Sequence, residues 1–128
     1  MSTSKKIGEI ALIFLTFRDQ LKIYHWQTHL YTRHKASDGL INIITSQLDR
    51  FIETLQGSRN TKLKMSSKSS MTLVNESDSS IINVLKVFKK WLLEGLVTYL
   101  DKNDKDLLNI RDEILGSVNK ALYLFTLK

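Results

Sequence analysis

The chain has 128 residues, 42% hydrophobic and 25% charged, with no cysteine, no proline and five glycines. That suffices for one domain of ordinary size and excludes disulfide scaffolds, thiolate metal sites and cysteine nucleophiles. Nineteen Lys and Arg against thirteen Asp and Glu give a net charge of +6, a surplus that favours nucleic acid or an acidic surface, although many small basic proteins bind neither. No apolar run approaches the roughly 20 residues of a bilayer span. The stretch behind the polar start is broken by Glu9, Arg18 and Asp19, unlike a signal peptide. The reading is a soluble intracellular protein.

In chain order, Ile7, Ile10, Phe14, Phe17, Leu21 and Tyr24 recur at steps of three and four, the seam of a packed helix. A second helix, from about His34 to Gln56, carries Leu40, Ile44, Leu48, Phe51 and Leu55, with Gly57 at a common stop position. From 57 to 79 the chain turns serine- and lysine-rich and reads as a long connection. Asn75, Asp78 and nearby serines offer caps for a third helix, about Ser80 to Leu100, striped with Ile81, Val84, Leu85, Phe88, Trp91, Leu92 and Tyr99. After a polar break at 101–104, Asn103 or Asp104 can cap a last helix bearing Leu107, Ile110, Ile114, Val118, Ala121 and Phe125. Short first and third connections make antiparallel pairs, and the long middle one can return the chain parallel. The expected architecture is an all-α four-helix bundle, ferritin-like, forming one domain over 1–128 with a single crossover between the second and third helices.

Four residues with ligand chemistry lie on the second helix: His34, Asp38, Asp49 and Glu53. At about 100° per residue they fall within a stripe about 100° wide beside the apolar one. Each pair is four residues apart, so both members can reach one ion. His34 and Glu53, however, stand roughly 28 Å apart along a helix, too far to share a site within one chain. Their spacing is symmetric: the midpoints of 34 and 53 and of 38 and 49 coincide, between Ile43 and Ile44. Two copies antiparallel about a two-fold axis there would bring His34 to the partner's Glu53 and Asp38 to the partner's Asp49. Imidazole and carboxylate ligands suit iron or another divalent first-row metal. An ordinary solvated helix face reads the same way, and spacing alone leaves both open.

His25 follows the last seam position of the first helix and can turn toward the second, as a ligand or as a hydrogen-bonded core or rim residue. Trp26, Trp91 and the tyrosines read most simply as core or interface aromatics. No Glu has a His three residues later, which disfavours the intrachain di-iron signature of four-helix carboxylate proteins. Phosphate loops and serine-nucleophile motifs are absent.

The run from Tyr24-His25-Trp26 through His34, Asp38, Asp49 and Glu53 to Gly57 resembles the Dps family, the DNA-binding mini-ferritins. Members share a His-Trp pair ending the first helix, then His and Asp four apart, then Asp and Glu four apart, with the same step of eleven between the two acidic positions. The wording Tyr-His-Trp-Gln-Thr and Arg-His-Lys-Ala also resembles an uncharacterised ferritin-like family of large DNA viruses. The Dps resemblance implies oxidation of ferrous to ferric iron at intersubunit sites. His25, His34 and Asp38 of one chain and Asp49 and Glu53 of the other would be the ligands, with Trp26 as an electron donor. It implies a two-fold dimer as the unit of a dodecameric shell, nonspecific DNA binding and no membrane. The gap from His25 to His34 is three residues shorter than in that family and lacks its glycine, and the basic arm is reduced to Lys5 and Lys6. The alternative is a non-enzymatic basic bundle, a structural or DNA- or capsid-associated viral component in host cytoplasm or virion. Under either reading Arg59, Lys62, Lys64 and Lys68 are the expected contact surface.

Overall fold

The apolar stripes all resolve as helices, and the computed structural model is an all-α bundle of four: α1 (Thr3–Gln27), α2 (Tyr31–Arg59), α3 (Ser80–Lys90) and α4 (Lys105–Leu124). The third helix continues past Lys90 through one π-helical turn, Trp91–Gly95, and a 3-10 turn, Leu96–Tyr99. The π turn lies where the Trp91 indole folds back over Gly95, so close that a β-carbon there would overlap the ring. Trp91 also meets Phe14 edge-on, its ring centroid 5.6 Å away. Phe14 centres the core, with Phe51 at 5.4 Å in a T-shaped contact and Phe88 beyond it.

Residues 60–79 form no helix, yet they are fastened along the whole of α1. The Lys64 N–H donates to the Ser4 carbonyl at 2.9 Å. Gln20 pairs twice with the Val74 backbone, at 2.7 and 3.0 Å, and Gln27 holds Asn75 and Glu76. At the far end the Asp78 carboxylate accepts from the Tyr24 and Thr28 hydroxyls at 2.6 and 2.7 Å. The attachment points run from residue 4 to residue 28, so this segment carries the chain the length of the bundle. It returns it parallel to α2, and α4 then comes back antiparallel. At one end Arg59 grips Asp104, and at the other Arg33 lies over the Phe125 ring at 4.6 Å.

Three local expectations are corrected. Gly57 does not end α2 and the connection does not begin there: a β-carbon at Gly57 would meet nothing, and Asn60, left-handed at φ 49°, is the residue that turns the chain out. Asp78 caps no helix because its carboxylate is committed to Tyr24 and Thr28. Asp104 stands at the N-cap of α4, but both its oxygens serve Arg59, at 2.9 Å each, and one also takes the Asp101 N–H. That pair withdraws Arg59 from the expected basic contact surface, since its guanidinium is the structural clamp between α2 and the start of α4.

Candidate metal centre

α1 ends and α2 begins across only three residues, 28–30, and this tight corner sets His25 against His34. Their rings stack with centroids 3.9 Å apart and planes 16° from parallel. Each Nδ1 reaches the other residue's carbonyl oxygen, His25 to His34 at 2.8 Å and His34 to His25 at 2.9 Å. A carbonyl only accepts, so both Nδ1 atoms carry hydrogen and both Nε2 atoms present lone pairs in the neutral state. Backbone-anchored Nδ1 with a free Nε2 is the preparation a metal-binding histidine needs. The shortened gap between the two histidines therefore does not separate them; it forces the stack.

Ser37, fully buried, completes the arrangement. Its hydroxyl donates to the His34 carbonyl at 3.1 Å and lies 3.0 Å from His25 Nδ1. Asp38 follows one residue on, half exposed, with Oδ1 4.0 Å from His25 Nε2. Sequence reasoning passed over Ser37, although it stands on the apolar stripe seven residues before Ile44, where a polar residue must have a buried partner. It also passed over Arg33, which donates to the Tyr24 hydroxyl, the Asp78 carbonyl and the Phe125 carbonyl and so locks the corner from behind.

Asp49 and Glu53 lie three to four turns further along α2, and the chain does not bring them to the histidines. No three His, Asp or Glu side chains of one chain converge on a common point. Asp49 and Glu53 instead stand one helical turn apart on α2, both exposed. The hydrogen bond to Asp49, together with its charge, raises the Glu53 pKa above the ordinary carboxylate value. A divalent cation placed beside such a carboxyl would favour its charged form. Asp49 also lines a groove between α1 and α2 with Leu15, Arg18, Asn42, Thr45 and Ser46. Trp26, beside the histidines, is exposed, with the Lys22 ammonium 5.4 Å from its ring centroid. A cation over the ring opposes loss of an electron from it.

A family model matches residues 25–125, described as a family of unknown function, DUF5856. The chain belongs to that family. The DUF5856 match opens at His25 and so spans the histidine stack, all three carboxylates, the crossover and α4, while leaving out most of α1. No curated protein and no solved structure matches the chain. No helix is long and apolar enough to cross a membrane.

Proposed function

We propose that this protein is a ferritin-like metal oxidase of the Dps type, completed only in a two-fold dimer. The observation that carries the reading is the histidine stack, whose Nδ1 atoms are anchored on backbone carbonyls and whose Nε2 atoms stay free. Its complement is the Asp49–Glu53 pair, placed on α2 where a two-fold axis near Ile43 and Ile44 would carry it to the partner's stack. Ferrous iron is the substrate. His25, His34 and Asp38 hold it from one side, and Asp49 and Glu53 of the second copy from the other. With peroxide as oxidant, two ferrous ions lose one electron each. The peroxide takes those electrons and two protons and leaves as two waters. Dioxygen is the alternative oxidant.

The test combines solution mass with anaerobic ferrous loading followed by peroxide, monitored by ferric absorbance. The wild-type chain is expected to be dimeric or larger at micromolar concentration and to oxidise iron well above the buffer rate. Asp49→Ala and Glu53→Ala keep the helical fold and fall to the buffer rate. A monomeric wild type, or one no faster than buffer, overturns the proposal.

A second reading rests on charge. Lys62, Lys64 and Lys68 are exposed, and the hydrogen bond from Lys64 to Ser4 sets them beside Lys5 and Lys6 at the start of α1. Such a face suits nonspecific contact with duplex DNA, with or without oxidase activity.

A further inference from the structure

The crossover presents a second chemistry that neither reading uses. Ser66, Ser67, Ser69 and Ser70 fall within five residues, and all are exposed. The Ser69 N–H donates to the Ser66 carbonyl at 3.0 Å, and the Lys68 N–H to the Ser66 hydroxyl at 3.2 Å, forming a tight turn. Just before and within it stand Lys62, Lys64 and Lys68, exposed and without ion-pair partners. Opposite lies the first part of α1, across a cleft of about 510 Å³ whose lining includes Lys5, Glu9, Ser66 and Ser69. Glu9 adds a negative charge to that cleft, but its carboxylate is engaged by the Tyr99 hydroxyl at 2.9 Å.

We propose that Ser69, with Ser66 as a second acceptor, is a phosphorylation site for a serine/threonine kinase that selects basic sequences. Such an enzyme binds its acceptor extended, which a helix resists and an exposed turn held by two hydrogen bonds does not. The serine oxygen attacks the γ-phosphorus of ATP and a new O–P bond forms. The bond to the bridging β,γ oxygen breaks, ADP leaves, and the hydroxyl proton passes to the kinase's base. Each phosphate brings about −1.5 to −2 charges and three strong acceptor oxygens. Two of them offset about −3 to −4 of the +5 carried by Lys5, Lys6, Lys62, Lys64 and Lys68, and a phosphate on Ser69 or Ser66 meets the Lys5 ammonium across the cleft. The modification thus discharges the basic face and fastens the crossover to α1. It holds whether or not the protein oxidises iron.

The experiment incubates the full chain with a basic-directed kinase and labelled ATP, then maps phosphopeptides. Up to two phosphates per chain are expected, confined to Ser66 and Ser69. Ser69→Ala should at least halve incorporation, and the double variant Ser66→Ala/Ser69→Ala should abolish it. No labelling while a basic control peptide is labelled, or labelling that survives the double variant, overturns the site. Because the exposed variants can be checked for unchanged circular dichroism, loss of labelling is not confused with unfolding. Phosphorylation is further expected to raise the melting temperature by roughly 2–5 °C in the wild type and not in Lys5→Ala. An equal rise in both overturns the docking across the cleft.

Discussion

Replacing Gly8 with alanine sets two effects of opposite sign against each other. Gly8 is buried in α1, and a β-carbon there would collide with the Lys64 carbonyl oxygen. The carbonyl carbon would stand 3.1 Å from it, against the roughly 3.5–4.0 Å of an unstrained carbon contact. The crossover must retreat, which puts at risk the 2.9 Å bond from the Lys64 N–H to Ser4. Overpacking of this kind costs about 1–3 kcal/mol, and the lost hydrogen bond a further ~0.5–1.5 kcal/mol. In favour stands the helix preference for alanine over glycine, about 1 kcal/mol. The collision wins, by roughly 1–3 kcal/mol. At about 3–5 °C per kcal/mol for a domain of this size, thermal unfolding followed by circular dichroism should show a midpoint lower by roughly 3–15 °C. Gly116 on α4 is the internal control: nothing lies near its missing β-carbon, so Gly116→Ala should gain about 1 kcal/mol. If Gly8→Ala melts at or above the wild type, alongside Gly116→Ala, the crossover is not seated on α1 as argued.

Three further perturbations test other parts of the structure. Arg59 holds the Asp104 carboxyl below the usual carboxylate range, so this pair stabilises the fold above about pH 4 and is lost as pH falls through the depressed value. Asp104→Asn should cost about 1–3 kcal/mol at neutral pH and flatten the acid limb of urea unfolding below pH 4. Glu53 has the opposite sign: its pKa is raised by Asp49, so the wild type loses stability as pH rises past the ordinary glutamate value. With chelator present, Glu53→Gln should therefore melt above wild type at pH 7 and level with it near pH 4; equal melting at both would show that the carboxylates do not repel. Neutralising Lys62, Lys64 and Lys68 together should lower the slope of log DNA affinity against log salt by about 2.7, following ~0.9 per phosphate contact. An unchanged slope would move the contact to Lys5 and Lys6 or to the α3 lysines.

The helices were legible because each carries an apolar stripe at helical spacing, and the stripes name nearly the whole core; only Leu96, displaced by the π turn, was missed among the large buried residues of the third helix. The helix ends were less legible, because they depend on what the polar side chains choose among competing partners. Asp78 looks like a cap in sequence and becomes a tie between crossover and α1; Gly57 looks like a stop and lies mid-turn in a continuing helix. Half of the candidate site could be read from spacing, since His34 and Asp38 are neighbours on one helix face. The stack on His25 could not, because it follows from how tightly three loop residues close the corner. The contact of Ser37 with His25 and the role of Arg33 escaped for the same reason: those partners lie on other elements, up to 92 residues away in the case of Arg33 and Phe125.

The distribution of ion pairs leaves the acidic residues of the outer stripe of α2 without a Lys or Arg partner. All five arginines are engaged within the chain: Arg18 with Asp19, Arg33 with Tyr24 and two carbonyls, Arg50 with Glu113, Arg59 with Asp104, and Arg111 with Asp112 and the Leu92 carbonyl. Of the lysines, only Lys90 pairs with a carboxylate, at Glu94. Asp49 and Glu53 form no ion pair, and the neighbouring Asp49 raises the Glu53 pKa, so the charged state of Glu53 is disfavoured. Asp38 has no Lys or Arg partner, and its nearest basic group is His25 Nε2 at 4.0 Å. Under the proposed function a divalent cation would relieve the charge left uncompensated on this stripe, and its symmetric spacing about Ile43 and Ile44 is what a second copy would use to surround the ion.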